Sequence, residues 1–352
     1  MIKILAVALT LLLTACAPAT RRVDVDQGAL DKEARFQRGL AVTGVVNDQT
    51  RLYRVSYPLL KAAAPMCKDK VRNGIGVMAI NRHMLGTLSE VADTVGIGDE
   101  FKVVVVVADS PVAAAGIQVN DVLVSINDWK PATDKDSIKL FPEKINELLK
   151  PGTPLQVVVK RGDALVNATV TPETVCTYPV QMSNDTIINA FADGEKVVIA
   201  RGMMRFATSD EELSLVISHE ISHNAMGHLT AQRGNRIIGA IMDGILAGLT
   251  RTQSTGAFTN AMGASFSQDF EAEADYVGLY VMARANEPIK EAPKFWRRMA
   301  AESPANITNT HNASHPATSY RMLALDKTVE EIEAKRAAGK PLTPELKEPA
   351  KQ

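Results

Sequence analysis

The feature that most constrains this chain is one helix-forming segment, Glu211-Glu212-Leu213-Ser214-Leu215-Val216-Ile217-Ser218-His219-Glu220-Ile221-Ser222-His223. Acidic residues fill its first turn, where the helix dipole favours them. Leu213, Val216, Ile217, Glu220 and Ile221 fall on one stripe that is apolar except for the glutamate. At helical spacing His219 and His223 project from one face, one turn apart. Two ligands of a tetrahedral metal need that arrangement. Glu220 follows His219 directly, about 100° around the helix, so it reaches water at a metal without ligating the metal.

This is the metalloprotease helix motif, and it needs a third protein ligand from another segment. Glu271-Ala272-Glu273-Ala274-Asp275 lies on a second predicted helix, after a Gly-, Ser- and Thr-rich loop expected from Gln253 to Gln268. Glu271 and Glu273 are two apart, so on a helix they cannot share a face and compete for one role. His-Glu-x-x-His followed by Glu-x-x-x-Asp resembles the zinc peptidases of the CAAX prenyl protease and HtpX type. Asn189-Ala190-Phe191-Ala192-Asp193-Gly194 and His315-Pro316 are similar to that family as well, and the likeness spans about Thr177 to Leu325.

The resemblance implies an α+β chain whose mainly helical gluzincin-type domain carries a small edge sheet. It implies one Zn²⁺ per chain held by His219, His223 and Glu271, with Asp275 orienting a ligating imidazole, here paired to His219. Zinc would bring bound water to a pKa of about 7. Glu220 would accept the proton and return it to the leaving amine. His228, nine residues after His219, lies off the ligand face and is expected to support the centre from behind. Lys196 to Ala200 reads as a strand; in the resembling family it is the edge strand that pairs with substrate, and the other reading is an internal strand. His315 has three open roles. It ligates the zinc and silences the enzyme, or it donates to the tetrahedral oxyanion with Arg321 as the alternative donor, or it caps the following helix.

Between these segments and the start of the chain lies a β-rich region, residues 67–176. Val103 to Val107 reads as a buried strand, with Val122 to Ile126 and Leu155 to Val159 as further candidates. The stretch from Asp109-Ser110-Pro111 through Ala115-Gly116-Ile117 to Asn120-Asp121 and Ile126-Asn127 resembles bacterial PDZ domains. Pro111 opens a short helix, Gly116 closes it, and Asn120-Asp121 turn into the next strand. Asn120 stands where Gly is usual. PDZ domains add an extended peptide to a sheet edge beside a glycine-rich loop. Gly74-Ile75-Gly76-Val77 is the loop candidate, and a plain β-turn is the other reading.

The first fifteen residues read as a signal peptide: a lysine, then an apolar run from Ile4 to Leu13. Leu13-Thr14-Ala15-Cys16 resembles the bacterial lipobox, which makes Cys16 a lipidation site and 16–29 a tether. Ala17 then implies an outer-membrane lipoprotein facing the periplasm, attached by lipid alone. Of three cysteines, Cys67 and Cys176 remain, in an oxidising compartment, and are expected to pair. Residues 30–66 read as a helical segment, weakened locally at Gly44, Val42–Val46 and Pro58. The peptidase domain is expected over 177–335 and a disordered tail over 336–352. The apolar stretch Ile237 to Leu249 is too short to span a bilayer. It reads as a buried or lid helix, or else as a helix lying on the membrane. A net charge of −1 and 5% aromatic residues argue against nucleic acid as partner. Unfolded or misassembled envelope proteins are the expected substrates, with a peptide or C-terminus at the PDZ-like domain. The competing reading is a non-catalytic assembly factor that keeps the protease body as a scaffold.

Overall fold

The computed structural model describes residues 20–250, 257–302 and 318–347. The signal segment, Cys16 and His315 lie outside these residues. Helix α1 (Gln27–Ala63) starts at an Asp26 cap and runs unbroken through Gly44 and Pro58. Its 37 residues make it about 55 Å long. The expected weak points hold because burial overrides propensity: Val42, Leu52, Val55, Tyr57, Leu59 and Leu60 are all buried.

The β-rich unit follows. Strands β1 (Val71–Gly74), β2 (Val77–Ile80) and β3 (Lys102–Val106) precede short helix α2 (Pro111–Ala114) and β4 (Val122–Ile126). Helix α3 (Ser137–Leu148), β5 (Leu155–Arg161), β6 (Ala164–Val170) and β7 (Glu173–Cys176) complete the unit. Its main sheet runs in the order β2-β3-β4-β5-β6, and β1 pairs separately with β7. That pairing sets Val71 opposite Cys176, and Cys67 and Cys176 form a disulfide with Cα atoms 5.8 Å apart. Gly76 has φ +75°, and a Cβ there would meet Ser110 Cβ at 2.2 Å. Only glycine fits between β1 and β2. Ser110 in turn caps α2, and Asn120 adopts φ 76° where Gly is usual. Asp121, buried, accepts from Gln118 N and from Nε and Nη2 of Arg161, which anchors the turn to β5.

The remaining strands, β8 (Val180–Ser183), β9 (Ala190–Ala192) and β10 (Val197–Ala200), form one small sheet in the order β8-β10-β9. The expected edge strand at Lys196–Ala200 is therefore the central one. All four residues of β10 are buried, as an internal strand requires, and β9 is an edge instead. Then come α4 (Arg201–Phe206), α5 (Asp210–Met226), α6 (His228–Thr250), α7 (Ala257–Arg284), α8 (Ala292–Glu302) and α9 (Ser319–Ala337). Helix α7 begins at Ala257, well inside the loop expected up to Gln268.

A single core joins Leu52, Tyr57 and Leu59 of α1 to Val105, Val107 and Val175 of the β-rich unit. The same core takes in Leu213, Ile217, Leu279 and Tyr280 of the helical unit. Arg51 of α1 binds Asp210 Oδ1 and the carbonyls of Met204, Ala207 and Ser209, fastening α1 to the start of α5. Two expectations about polar and apolar segments are corrected. Residues 338–347 are not a disordered tail, because Lys335 Nζ donates to Thr343 O and Glu345 Oε1, and Glu345 N donates to the Tyr276 hydroxyl. Helix α6 is not buried along its apolar side: Ile237, Ile238, Ile241, Met242 and Ile245 face outward while Asp243 turns inward. Among the described residues no helix is long and apolar enough to cross a membrane.

Candidate metal centre

Helix α5 is started and stopped by local chemistry. The Ser209 side chain accepts from Glu212 N, and Glu212 Oε2 accepts from Thr208 N, so two first-turn donors are satisfied. Gly227 ends the helix with φ 72°. From Leu213 to Ser222 every residue is buried, so His219 and Glu220 sit on an element with no freedom to move. Helix α7 crosses it closely at Gly278, where a Cβ would lie 3.1 Å from His219 N. That approach brings Glu271 and Asp275, one turn apart on α7, against the two histidines.

Two imidazole nitrogens and one carboxylate meet. His219 Nε2 and His223 Nε2 are 3.1 Å apart. Glu271 Oε1 is 3.2 Å from His223 Nε2, and Glu271 Oε2 is 3.4 Å from His219 Nε2. Ligands at 2.0–2.1 Å from a tetrahedral zinc stand about 3.3 Å apart, close to the spacing between the two nitrogens and from each nitrogen to its nearer carboxylate oxygen, so the group fits the ion. Charge points the same way. Glu220, Glu271 and Asp275 are 2%, 3% and 3% exposed, and Arg321 at 2% is the guanidinium among them. Three carboxylates and one guanidinium leave a formal charge of −2, which a divalent cation neutralises.

Behind this group each imidazole has its own support. Asp275 Oδ1 lies 2.9 Å from His219 Nδ1. Burial resists charge on His219, but Asp275 and Glu271 outweigh it and push its pKa up to about 10. Burial also resists ionisation of Asp275, yet the Arg321 charge and His219 hold it below the usual carboxylate range. His223 stays below its ordinary value because burial dominates there. Its Nδ1 faces His228 Nδ1 at 3.0 Å, and His228 Nε2 lies 2.9 Å from Glu273 Oε2. Glu273 thus points away from the group.

Arg321, the alternative oxyanion donor, is engaged by two carboxylates. Its Nε and Nη2 hold Asp275 at 2.7 and 2.9 Å, and Nη1 holds Glu271 at 3.0 Å. Two buried carboxylates need a cation, and the planar guanidinium fork supplies one.

Two contributors were not foreseen from sequence. The Trp296 ring stands 5.1 Å from that of His219 and 5.5 Å from the Arg321 guanidinium. One of only two tryptophans in the chain, its scarcity was the available signal. Asn224, the residue after His223, accepts from Gly194 N and donates to Lys196 O, pinning the β9–β10 turn to α5. No spacing rule marks it.

Residues 155–329 match Peptidase family M48, and residues 74–171 match the PDZ domain. The chain is 27% identical over 164 residues to "Mitochondrial metalloendopeptidase OMA1" of Schizosaccharomyces pombe, covering 45% of this chain and 49% of that protein. It is 31% identical over 147 residues to "Beta-barrel assembly-enhancing protease" of Escherichia coli, covering 36% of this chain and 30% of that protein. The chain therefore spans half or less of the length of these curated relatives. Among solved structures it is similar to "HtrA-type protease AlgW with decapeptide", at 25% identity and a TM-score of 0.23 over 30% of each chain. The PDZ match falls within the β-rich unit, the M48 match begins in β5 of that unit and runs through the helical unit into α9, and the family match supports a metalloprotease.

Proposed function

We propose that this chain, which carries a peptidase family M48 region and a PDZ domain, is a zinc-dependent endopeptidase of the bacterial envelope that cleaves unfolded or misassembled proteins. The observation that carries the reading is the convergence of His219 Nε2, His223 Nε2 and the Glu271 carboxylate, with the imidazole nitrogens 3.1 Å apart and each within 3.2 to 3.4 Å of one carboxylate oxygen. Bound zinc would supply an acidified water and polarise the substrate carbonyl. Glu220, buried on α5 next to His219, would take the proton and hand it to the leaving amine. The finer kinship is with the CAAX prenyl protease and HtpX type, on the Glu271-x-x-x-Asp275 pattern.

Substrate selection rests on two edges. Strand β9 borders the small sheet beside α5, with Phe191 exposed on it, and backbone pairing there would accept any extended chain. Strand β2 borders the PDZ sheet. An extended peptide or a C-terminus would add to that edge. Burial pushes the pKa of Tyr53, on α1, up to about 12. Envelope residence follows the name of the Escherichia coli relative and the lipobox-like Cys16, with outer-membrane anchoring by lipid.

Glu220→Gln separates this enzyme from a non-catalytic scaffold. Incubated with casein or a misfolded outer-membrane protein, the variant is expected to cleave at least about a hundredfold more slowly while keeping its zinc. Equal cleavage by variant and wild type refutes the peptidase reading.

A further inference from the structure

His219 and His223 present the same ring atom to the centre, yet they are braced in different ways. His219 meets a buried carboxylate directly, Asp275 at 2.9 Å. His223 is braced at Nδ1 by a second imidazole. It meets His228 Nδ1 at 3.0 Å, and the carboxylate of Glu273 comes one ring later, 2.9 Å from His228 Nε2. We infer that Glu273 is a positioning residue for the metal centre, acting through His228 on His223. The inference rests on the metal reading above and names a further residue for that site.

One proton arrangement is consistent along the whole row. His223 offers the lone pair of Nε2 toward His219 and Glu271, so its proton sits on Nδ1. That proton points to the lone pair of His228 Nδ1, 3.0 Å away. His228 must then carry its own proton on Nε2, which donates to Glu273. The carboxylate therefore selects the His228 tautomer, and that tautomer selects the one His223 needs to ligate. The reverse arrangement, with the proton on His228 Nδ1, would set two N–H groups against each other or take the lone pair of His223 off the centre.

The local fold is built to hold this row. Gly227 ends α5 with φ 72°, a left-handed conformation that turns the chain immediately after the helix. His228, the next residue, comes back beside the ring of His223, five positions earlier. Its ring stacks on Phe270 with centroids 4.7 Å apart and planes 18° from parallel, which fixes its plane. His228 is 3% exposed. The Glu273 side chain is half exposed, at 50%. The His228 hydrogen bond is the largest influence on it and holds it below the usual carboxylate range, with Lys347 adding to the effect. Glu273 is not itself a ligand: among the described residues the donor atoms that converge belong to His219, His223 and Glu271.

The test uses the full chain and zinc alone. Zinc dissociation constants are measured by competition with a chromophoric chelator for wild type, Glu273→Gln, His228→Ala and the double variant. The visible spectrum of the cobalt-substituted forms is recorded beside them. Glu273→Gln is expected to weaken zinc by roughly 10- to 100-fold and to change the cobalt bands. The double variant is expected to be no weaker than His228→Ala, because both act through one row. Chelated Glu273→Gln should melt with chelated wild type, which separates positioning from folding. Glu273→Gln within twofold of wild type, or single effects that multiply in the double variant, overturns the inference. Glu271→Ala run in parallel keeps the two readings apart. If it binds zinc like wild type, the metal reading fails; if it loses zinc while Glu273→Gln does not, the row alone fails.

Discussion

The two histidine arms of the centre differ in where their charge is kept. On the His219 arm the bracing carboxylate, Asp275, is fully enclosed and balanced by Arg321, itself enclosed. On the His223 arm the carboxylate is Glu273, set one ring back and half open to solvent. A buried pair cannot lose one member without leaving the other uncompensated, whereas a half-exposed carboxylate can be replaced at modest cost. The His219 arm is therefore a structural commitment of the fold. The His223 arm is adjustable.

Removing Asp275 should have the largest effect. Asp275→Ala leaves Arg321 buried without the carboxylate that holds two of its nitrogens, and a loss of about 3–5 kcal/mol is expected in urea unfolding. Stability equal to wild type would mean that the Asp275–Arg321 pair is not the keystone of this arm. The two arms should also part in their response to pH. After chelation, His219 has a folded pKa near 10, raised from 6.5. A raised folded value stabilises below the unfolded pKa and loses that contribution as pH rises through the folded one. The melting temperature of the chelated protein should therefore fall between about pH 6.5 and 10, with no such contribution from His223. A flat profile across that window would remove the contrast.

Smaller effects probe the packing that aligns the arms. Gly278→Ala puts a Cβ 3.1 Å from His219 N and should cost about 1–3 kcal/mol, because two buried backbones must separate. Crystallographic comparison should show α7 displaced from α5; an unmoved helix would contradict the close-contact argument. Smallest is Asn224→Ala, which frees the β9–β10 turn from α5. It should cost about 1 kcal/mol and raise KM more than it lowers kcat, as expected if β9 receives substrate. A change confined to kcat would point away from β9.

These contrasts show how far sequence reasoning reached. The ligand pair was legible because an i, i+4 spacing on a helix with acidic residues in its first turn leaves one geometry. Glu271 and Asp275 became legible through family resemblance, and the half-turn offset that separates Glu271 from Glu273 came from helical periodicity. The Asn120 turn was legible because φ > 0 selects residue types, whereas the Gly76 approach to Ser110 emerges only in the fold. What stayed hidden depends on contacts between distant segments. Arg321 reads as a free donor until two carboxylates from another helix close on its fork. The central place of β10 depends on β8 joining its far side in parallel, which no local pattern announces. Helix α1 looked interrupted because Pro58 and Gly44 weaken local propensity, while its buried face is supplied by three other parts of the molecule.

All of this turns on one metal held by both arms and by Glu271. The most direct measurement is zinc content of purified wild type and Glu271→Ala by elemental analysis, after dialysis against a weak chelator. The account predicts one zinc per chain in the wild type and loss of zinc in the variant, with His219 and His223 unchanged in both. Full zinc in Glu271→Ala, or none in the wild type, would contradict it.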